Sequence, residues 1–152
     1  MAQKTENKKT STTIIDGKDL VLGRLGSVVA KKLLLGENVK IVNCKDIVIL
    51  GQKNYLVERY KNKLSNKVVK QGPYYSRSPA DMVRRSMRNM LPYKSKRGIE
   101  AMSRLRCYNS TPSILLNEEK TKVEEAGIDE SSSLYFTRIG EICQKLGYNK
   151  GL

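Results

Sequence analysis

Apolar positions fall into short blocks whose spacing alternates between two and three-to-four residues. Thr12–Ile15 is β-branched at every position and runs into Asp16-Gly17, which predicts a first strand ended by a tight turn. From Leu20 to Gly36 the spacing changes: Leu25, Val28, Val29 and Leu33 share one stripe, with Lys32 at its edge. That pattern predicts a helix laid on a sheet. Gly36, preceded by Lys31 and Lys32, fits its C-cap. Val39-Lys-Ile-Val-Asn43 alternates again, and Ile47–Leu50 is a short apolar run closed by Gly51. Strand, helix, strand in this order predicts a right-handed crossover within a parallel or mixed sheet. The apolar density of residues 39–50 predicts a strand pair in the core rather than at an edge.

Beyond Gly51 the polar pattern dominates. Tyr55, Leu56, Arg59, Tyr60 and Lys63 keep helical spacing, so a solvent-facing helix is expected, followed by a basic loop over residues 66–75 broken at Gly72-Pro73. Ser78-Pro-Ala-Asp81 reads as a helix start, with the Ser78 hydroxyl as N-cap, Pro79 at N1 and Asp81 at N3. The helix should run to about Leu91, burying Met82, Val83, Met87, Met90 and Leu91 and leaving Arg84, Arg85 and Arg88 polar-side. Pro92 ends it. A basic loop over Tyr93–Gly98, a short helix through Ile99 and Met102, and a strand over Leu105–Tyr108 should follow. Residues 113–133 are acidic, Ser-rich and weakly periodic, and are expected to be irregular. Thr137 is placed to cap a last helix with Ile139, Ile142, Cys143 and Leu146 on one side and Gly147 at its end. The expected fold class is therefore α/β, a central, mainly parallel sheet flanked by helices, with basic loops and terminal extensions. Its expected organisation is a tail over residues 1–11, a domain over 12–112 and a C-terminal extension over 113–152.

Charge sharpens this picture. The chain carries +14 in all. Residues 53–106 hold fifteen Lys or Arg against three acids, whereas residues 107–152 hold five against seven. A block of this size repels itself unless counterions or a polyanion neutralise it, which points to a phosphate backbone as partner. Lys4, Lys8 and Lys9 could add contacts from a tail that orders on the polyanion.

The inventory excludes much else. There is no His, and Cys44, Cys107 and Cys143 are far apart with no CxxC pair, so neither a zinc finger nor a His-based metal centre is available. Each Cys lies in an apolar segment and is expected to be a small buried hydrophobe. Leu22-Gly-Arg-Leu-Gly26 lacks both the dinucleotide and the Walker spacing; helix packing or a backbone contact to phosphate explains it better. Asp16, Asp19 and Asp46 are isolated, and the basic block offers only Glu58, Asp81 and Glu100 to a nuclease metal. No metal and no cofactor is expected. Residues 1–10 lack the apolar core of a signal peptide and no run is long enough to span a membrane, so no membrane association and a cytoplasmic location are expected.

Several ordered blocks carry a family resemblance. Leu22-Gly-Arg-Leu-Gly-Ser-Val-Val-Ala-Lys31, Val42-Asn43, Gly51, Gly72-Pro73-Tyr74 and Ser78-Pro-Ala-Asp-Met-Val-Arg-Arg85 resemble the universal large-subunit ribosomal protein family numbered thirteen. So do Arg88-Asn-Met-Leu-Pro-Tyr-Lys-Ser-Lys-Arg-Gly98 and Arg104-Leu-Arg-Cys-Tyr108, and the segment from Tyr135 to Gly147 is similar to the ending of the archaeal form. The resemblance covers residues 14–112 and departs at Asn89, where the family usually has Gly, and at Asn109-Ser110, in place of a glycine region. It implies a non-enzymatic α/β protein bound to large-subunit ribosomal RNA beside neighbouring ribosomal proteins, supporting subunit assembly. It gives Arg88, Met90, Leu91, Pro92, Lys94, Arg97 and Gly98 the family's central basic-loop role, and Gly23 and Arg24 the motif of its first helix.

The RNA contacts expected are Lys53, Arg59, Lys61, Lys63, Lys67 and Lys70 in the first basic stretch, then Tyr74, Tyr75 and Arg77 before the Arg-rich helix. Arg84, Arg85 and Arg88 on that helix, Tyr93, Lys94, Lys96 and Arg97 after it, and Arg104 and Arg106 beyond complete the set. Arg forks suit phosphates, Lys supplies mobile point charges, and the tyrosines suit unpaired bases. The competing readings are an extraribosomal regulatory RNA-binding module and an RNA-processing nuclease.

Overall fold

The computed structural model describes residues 11–66, 71–128 and 135–149. Lys67, Lys70 and all but the last residue of the expected N-terminal tail lie outside the described residues. β1 (Thr12–Asp16), α1 (Leu22–Leu35) and β2 (Asn38–Val42) form the expected strand–helix–strand unit. β1 and β2 pair in parallel from Thr12 opposite Asn38 to Asp16 opposite Val42. β4 (Leu105–Cys107) pairs in parallel with the other side of β2, giving the order β1-β2-β4. β2 is thus the central strand, and Val39 and Ile41 on its core face are fully buried.

α1 buries Leu25, Gly26, Val29, Ala30 and Leu33 and ends on Gly36, whose φ of 99° lets its N–H reach back to the last turn. Val28 and Lys32 lie half-buried at the edges of the stripe.

β3 (Val48–Leu50) departs from expectation. It pairs antiparallel with β5 (Phe136–Arg138) in a separate two-stranded sheet rather than joining β2. The cause is local: Asn43 takes the left-handed conformation, φ 56°, and a single 3-10 turn at Cys44–Asp46 redirects the chain. Asn tolerates that conformation when its side chain is satisfied. Here its Nδ2 donates to Asp16 Oδ1 at 2.9 Å and its Oδ1 accepts from Thr111 Oγ1 at 3.1 Å.

The helices that carry charge follow. α2 spans Lys53–Ser65, α3 Pro79–Asn89, α4 Lys96–Ser103 and α5 Ile139–Lys145. The segment Lys96–Gly98 is the first turn of α4 rather than loop, because the Ser95 hydroxyl accepts from the Gly98 N–H at 3.3 Å and caps the helix there. A Cβ at Gly98 would overlap the Pro92 carbonyl, so only glycine fits this close approach. Met90 is exposed rather than core, although its thioether lies over Gly26.

The cap of α3 also differs from expectation. Ser78 occupies the N-cap position, but its hydroxyl makes no capping bond. The orphan Ala80 N–H donates instead to Asn109 Oδ1 at 2.9 Å, from a residue 29 positions away. Asn109 Nδ2 in turn donates to the Tyr148 hydroxyl at 3.0 Å. Asn109→Ala should therefore cost about 1–2 kcal/mol, and Ser78→Ala only a few tenths, in urea denaturation. Equal shifts for the two variants would contradict this cap.

Thr137 likewise is not a cap. It sits in β5, almost fully buried, with its hydroxyl donating to Gly51 O at 3.3 Å, while Arg138 holds the N-cap position of α5.

Residues after Pro112 are tied to the sheet and its core. Thr121 bridges the outer edge of β1, its N–H donating to Ile14 O at 2.8 Å, which covers an otherwise open strand edge. Ala126 is buried and its carbonyl accepts from the Val21 N–H at 2.8 Å. The acidic stretch contains single 3-10 turns at Ser113–Leu115 and Glu124–Ala126. α5 turns Ile139, Ile142, Cys143 and Leu146 inward, as expected, into the cluster that holds Met82, Val83 and Met87 of α3.

Candidate nucleic-acid interface

α3 is amphipathic, so burying Met82, Val83 and Met87 turns Arg84, Arg85 and Arg88 away from the core. α2 has Leu56 as its buried anchor and turns Tyr60 and Lys63 toward α3. The segment before α3 brings in Tyr74 and Tyr75. These seven side chains, with Ser76, Asp81 and Asn89, line a groove of about 330 Å³.

Among the described residues no carboxylate lies within ion-pairing distance of Lys63, Arg84, Arg85 or Arg88; the ion pairs lie elsewhere, at Lys32–Glu37, Lys53–Glu141 and Arg138–Asp19. Aromatic rings hold three of these cations instead, Lys63, Arg85 and Arg88. The Arg85 guanidinium lies 3.8 Å from the Tyr75 ring centre while its Nη1 donates to Tyr74 O at 3.1 Å. Lys63 Nζ is 5.0 Å from the Tyr60 ring and 6.0 Å from Tyr75, and Arg88 lies 5.4 Å from Tyr93. Each such contact contributes about 0.5–1 kcal/mol at an exposed site. It orients the cation without neutralising it. Burial raises the Tyr60 phenol above its ordinary range, with Arg59 pulling the other way, so it stays a neutral donor. Asp81, the groove's carboxylate, is held by the Ser76 hydroxyl at 2.7 Å.

The groove thus brings together Lys63, Tyr74, Tyr75, Arg84, Arg85 and Arg88 of the expected set. Arg77 is exposed just before α3, and Tyr93, Lys94, Lys96 and Arg97 are exposed beyond its far end, joined to it through the Arg88–Tyr93 contact. Arg59 and Lys61 are exposed on α2, and Arg106 on β4. Lys53 is paired with Glu141. Arg104 plays a structural part, since its half-buried guanidinium donates Nη2 to Leu33 O at 2.9 Å, at the C-terminal end of α1. Tyr60 is a groove residue outside the expected contacts. Its signal in the sequence is its position one helical turn before Lys63, which places both on the same face.

Other chemistry has less to stand on. Among the described residues no group of three or more Cys, Asp or Glu is arranged to hold a metal ion. No helix among them is long and apolar enough to cross a membrane. Cys44 and Cys143 are buried. Burial pushes the Cys143 thiol up to about 12, and a hydrogen bond with Cys107, then burial, raises Cys44 well above the ordinary thiol range. Thiolates are the reactive form, so an aromatic disulfide reagent at neutral pH should modify at most the partly exposed Cys107 in the folded chain. Three equivalents should react after denaturation; three fast equivalents before it would contradict the burial.

The family model described as Ribosomal protein L13 matches residues 10–113. Relatives named large ribosomal subunit protein uL13 match over nearly the whole length. That of Methanopyrus kandleri is 42% identical over 90% of this chain and 87% of its own. That of Thermoplasma acidophilum is 38% identical, covering 88% of this chain and 97% of its own. That of Archaeoglobus fulgidus is 39% identical, covering 90% and 88%.

Proposed function

The chain belongs to the ribosomal protein L13 family, and from that premise we propose that it uses the outer faces of α2, α3 and the start of α4 to hold large-subunit ribosomal RNA. It is a structural constituent of the large subunit of the cytoplasmic ribosome rather than an enzyme. The observation that carries the RNA face is the set of cations with no carboxylate partner among the described residues, Arg84 and Arg88 on one turn-spaced helix face beside Lys63 and Arg85. Arginine forks reach two phosphate oxygens at once, which fixes orientation as well as charge. Lys94, Lys96 and Arg97 continue the positive surface past Tyr93. The core side of α3 meets α5, so the same helix that displays charge is held rigidly from behind. Neighbouring ribosomal proteins are the second class of partner, and the acidic segment after Pro112 has the charge to meet a basic one.

Replacing Arg84 and Arg88 by Gln keeps length and most helix propensity while removing two charges. Incorporation of the tagged variant into large subunits, read on sucrose gradients against the wild-type chain, should fall several-fold. The thermal unfolding of the free protein should stay within about 0.5 kcal/mol, as for surface changes. Undiminished incorporation, or loss of incorporation only together with loss of fold, would remove α3 from the interface.

A further inference from the structure

We propose that the groove between α2 and α3 is a pocket for one unpaired nucleotide, its base against the open face of Tyr74 and its phosphate on Arg84 and Arg88. The inference rests on the reading of this face as RNA-binding and specifies what that face recognises. Three observations carry it.

The first is size. A volume of about 330 Å³ is at the small end of pockets that enclose a small ligand, roughly 300–1,000 Å³. It suits a nucleotide turned out of the strand and is far too narrow for a duplex.

The second is zoning. Tyr75 already has Arg85 on its ring at 3.8 Å, so that ring is occupied. Tyr74 is 68% exposed and carries no cation on its ring among the described residues. Its carbonyl is pinned by Arg85, which fixes the backbone behind the ring at 3.1 Å. An exposed, backbone-anchored ring at the mouth of a basic groove is a stacking platform.

The third is polarity along the groove. Arg84 and Arg88, four residues apart on α3, are spaced about 6 Å at their Cβ atoms, the scale on which one phosphate can be bridged. Asp81 lies at the N-terminal end of the same helix, with Oδ2 held by Ser76. A carboxylate repels phosphate and accepts from an exocyclic amino group. The pocket is therefore built for cytosine, adenine or guanine in preference to uracil.

The test uses the full chain. In the first arm, affinity for large-subunit ribosomal RNA is measured across a salt series for the wild type, Tyr74→Ala and Tyr74→Phe. Tyr74→Ala should weaken binding about tenfold with an unchanged salt slope, and Tyr74→Phe should restore it. Unchanged affinity in Tyr74→Ala, while the wild type binds with steep salt dependence, overturns the pocket and leaves the RNA-binding face standing. A wild-type chain that does not bind this RNA overturns both. In the second arm, the nucleotide monophosphates CMP and UMP, alike in size, are titrated and followed by NMR. CMP should shift the Tyr74 ring and the Arg84 and Arg88 side-chain signals at several-fold lower concentration than UMP. Absence of these shifts overturns the pocket, and equal response to the two overturns the placement of the base at Asp81.

Discussion

Raising salt from about 50 to 200 mM should weaken binding of this chain to large-subunit ribosomal RNA by roughly 300-fold, if about six phosphates are neutralised on unpaired strands. Each neutralised phosphate releases counterions, so the log–log slope is about −0.7 per contact, or about −4 for six. The structure justifies a steep response because its cations are not spent internally. Lys63, Arg84, Arg85 and Arg88 have no carboxylate partner among the described residues, and Lys63, Arg85 and Arg88 lie over aromatic rings. The Arg84→Gln, Arg88→Gln double variant should flatten the slope by about 0.7, because the two forks share one phosphate, whereas loss of the paired Lys53 should change it less. Filter binding or fluorescence anisotropy over four salt concentrations measures this directly. A nearly flat line for the wild type would end the electrostatic account of the interface.

Local physics made much of this fold legible in the sequence. β1 and β2 announce themselves by β-branched, strand-like runs and α1 by its helical period, with Gly17 and Gly36 at the stops of β1 and α1, and those cues act within a few residues. The Arg face of α3 was legible for the same reason: once Met82, Val83 and Met87 are known to be inside, a 3.6-residue period fixes where Arg84 and Arg88 point. What escaped is what depends on partners distant in sequence. The Ala80 N–H is satisfied by Asn109, and no local rule selects a residue 29 positions away over Ser78, which stands at the right place with the right hydroxyl. β3 escaped because its apolar run suits any covered strand, and the choice between β2 and β5 is made at Asn43, one residue in a left-handed turn. The groove shows the same division. Its charges were readable, but its shape depends on Lys63 of α2 reaching the Tyr75 ring in the segment before α3, and that packing has no signature in either segment alone.

Ile142→Ala should destabilise the chain by about 2–5 kcal/mol, a large share of the roughly 5–15 kcal/mol that holds a domain together. Ile142 is fully buried in α5, in one cluster with Met82, Val83 and Met87 of α3 and Leu25 and Val29 of α1. Removing its outer carbons leaves a cavity that rigid neighbours on several elements cannot close. α5 is only seven residues long, too short to be helical without that burial. Loss of the whole helix would unseat the back of α3 and so displace Arg84 and Arg88, even though Ile142 itself faces no RNA. Urea denaturation of the full chain should show a lower midpoint with an unchanged slope. Ile114→Ala is the internal comparison: at 86% exposed it should shift stability by less than about 0.5 kcal/mol. RNA affinity measured well below the midpoint should be retained in Ile142→Ala, because folded molecules still present the basic face. A midpoint unmoved by Ile142→Ala would show that α5 is not part of the core. A midpoint moved equally by both variants would show that burial is not what decides the cost.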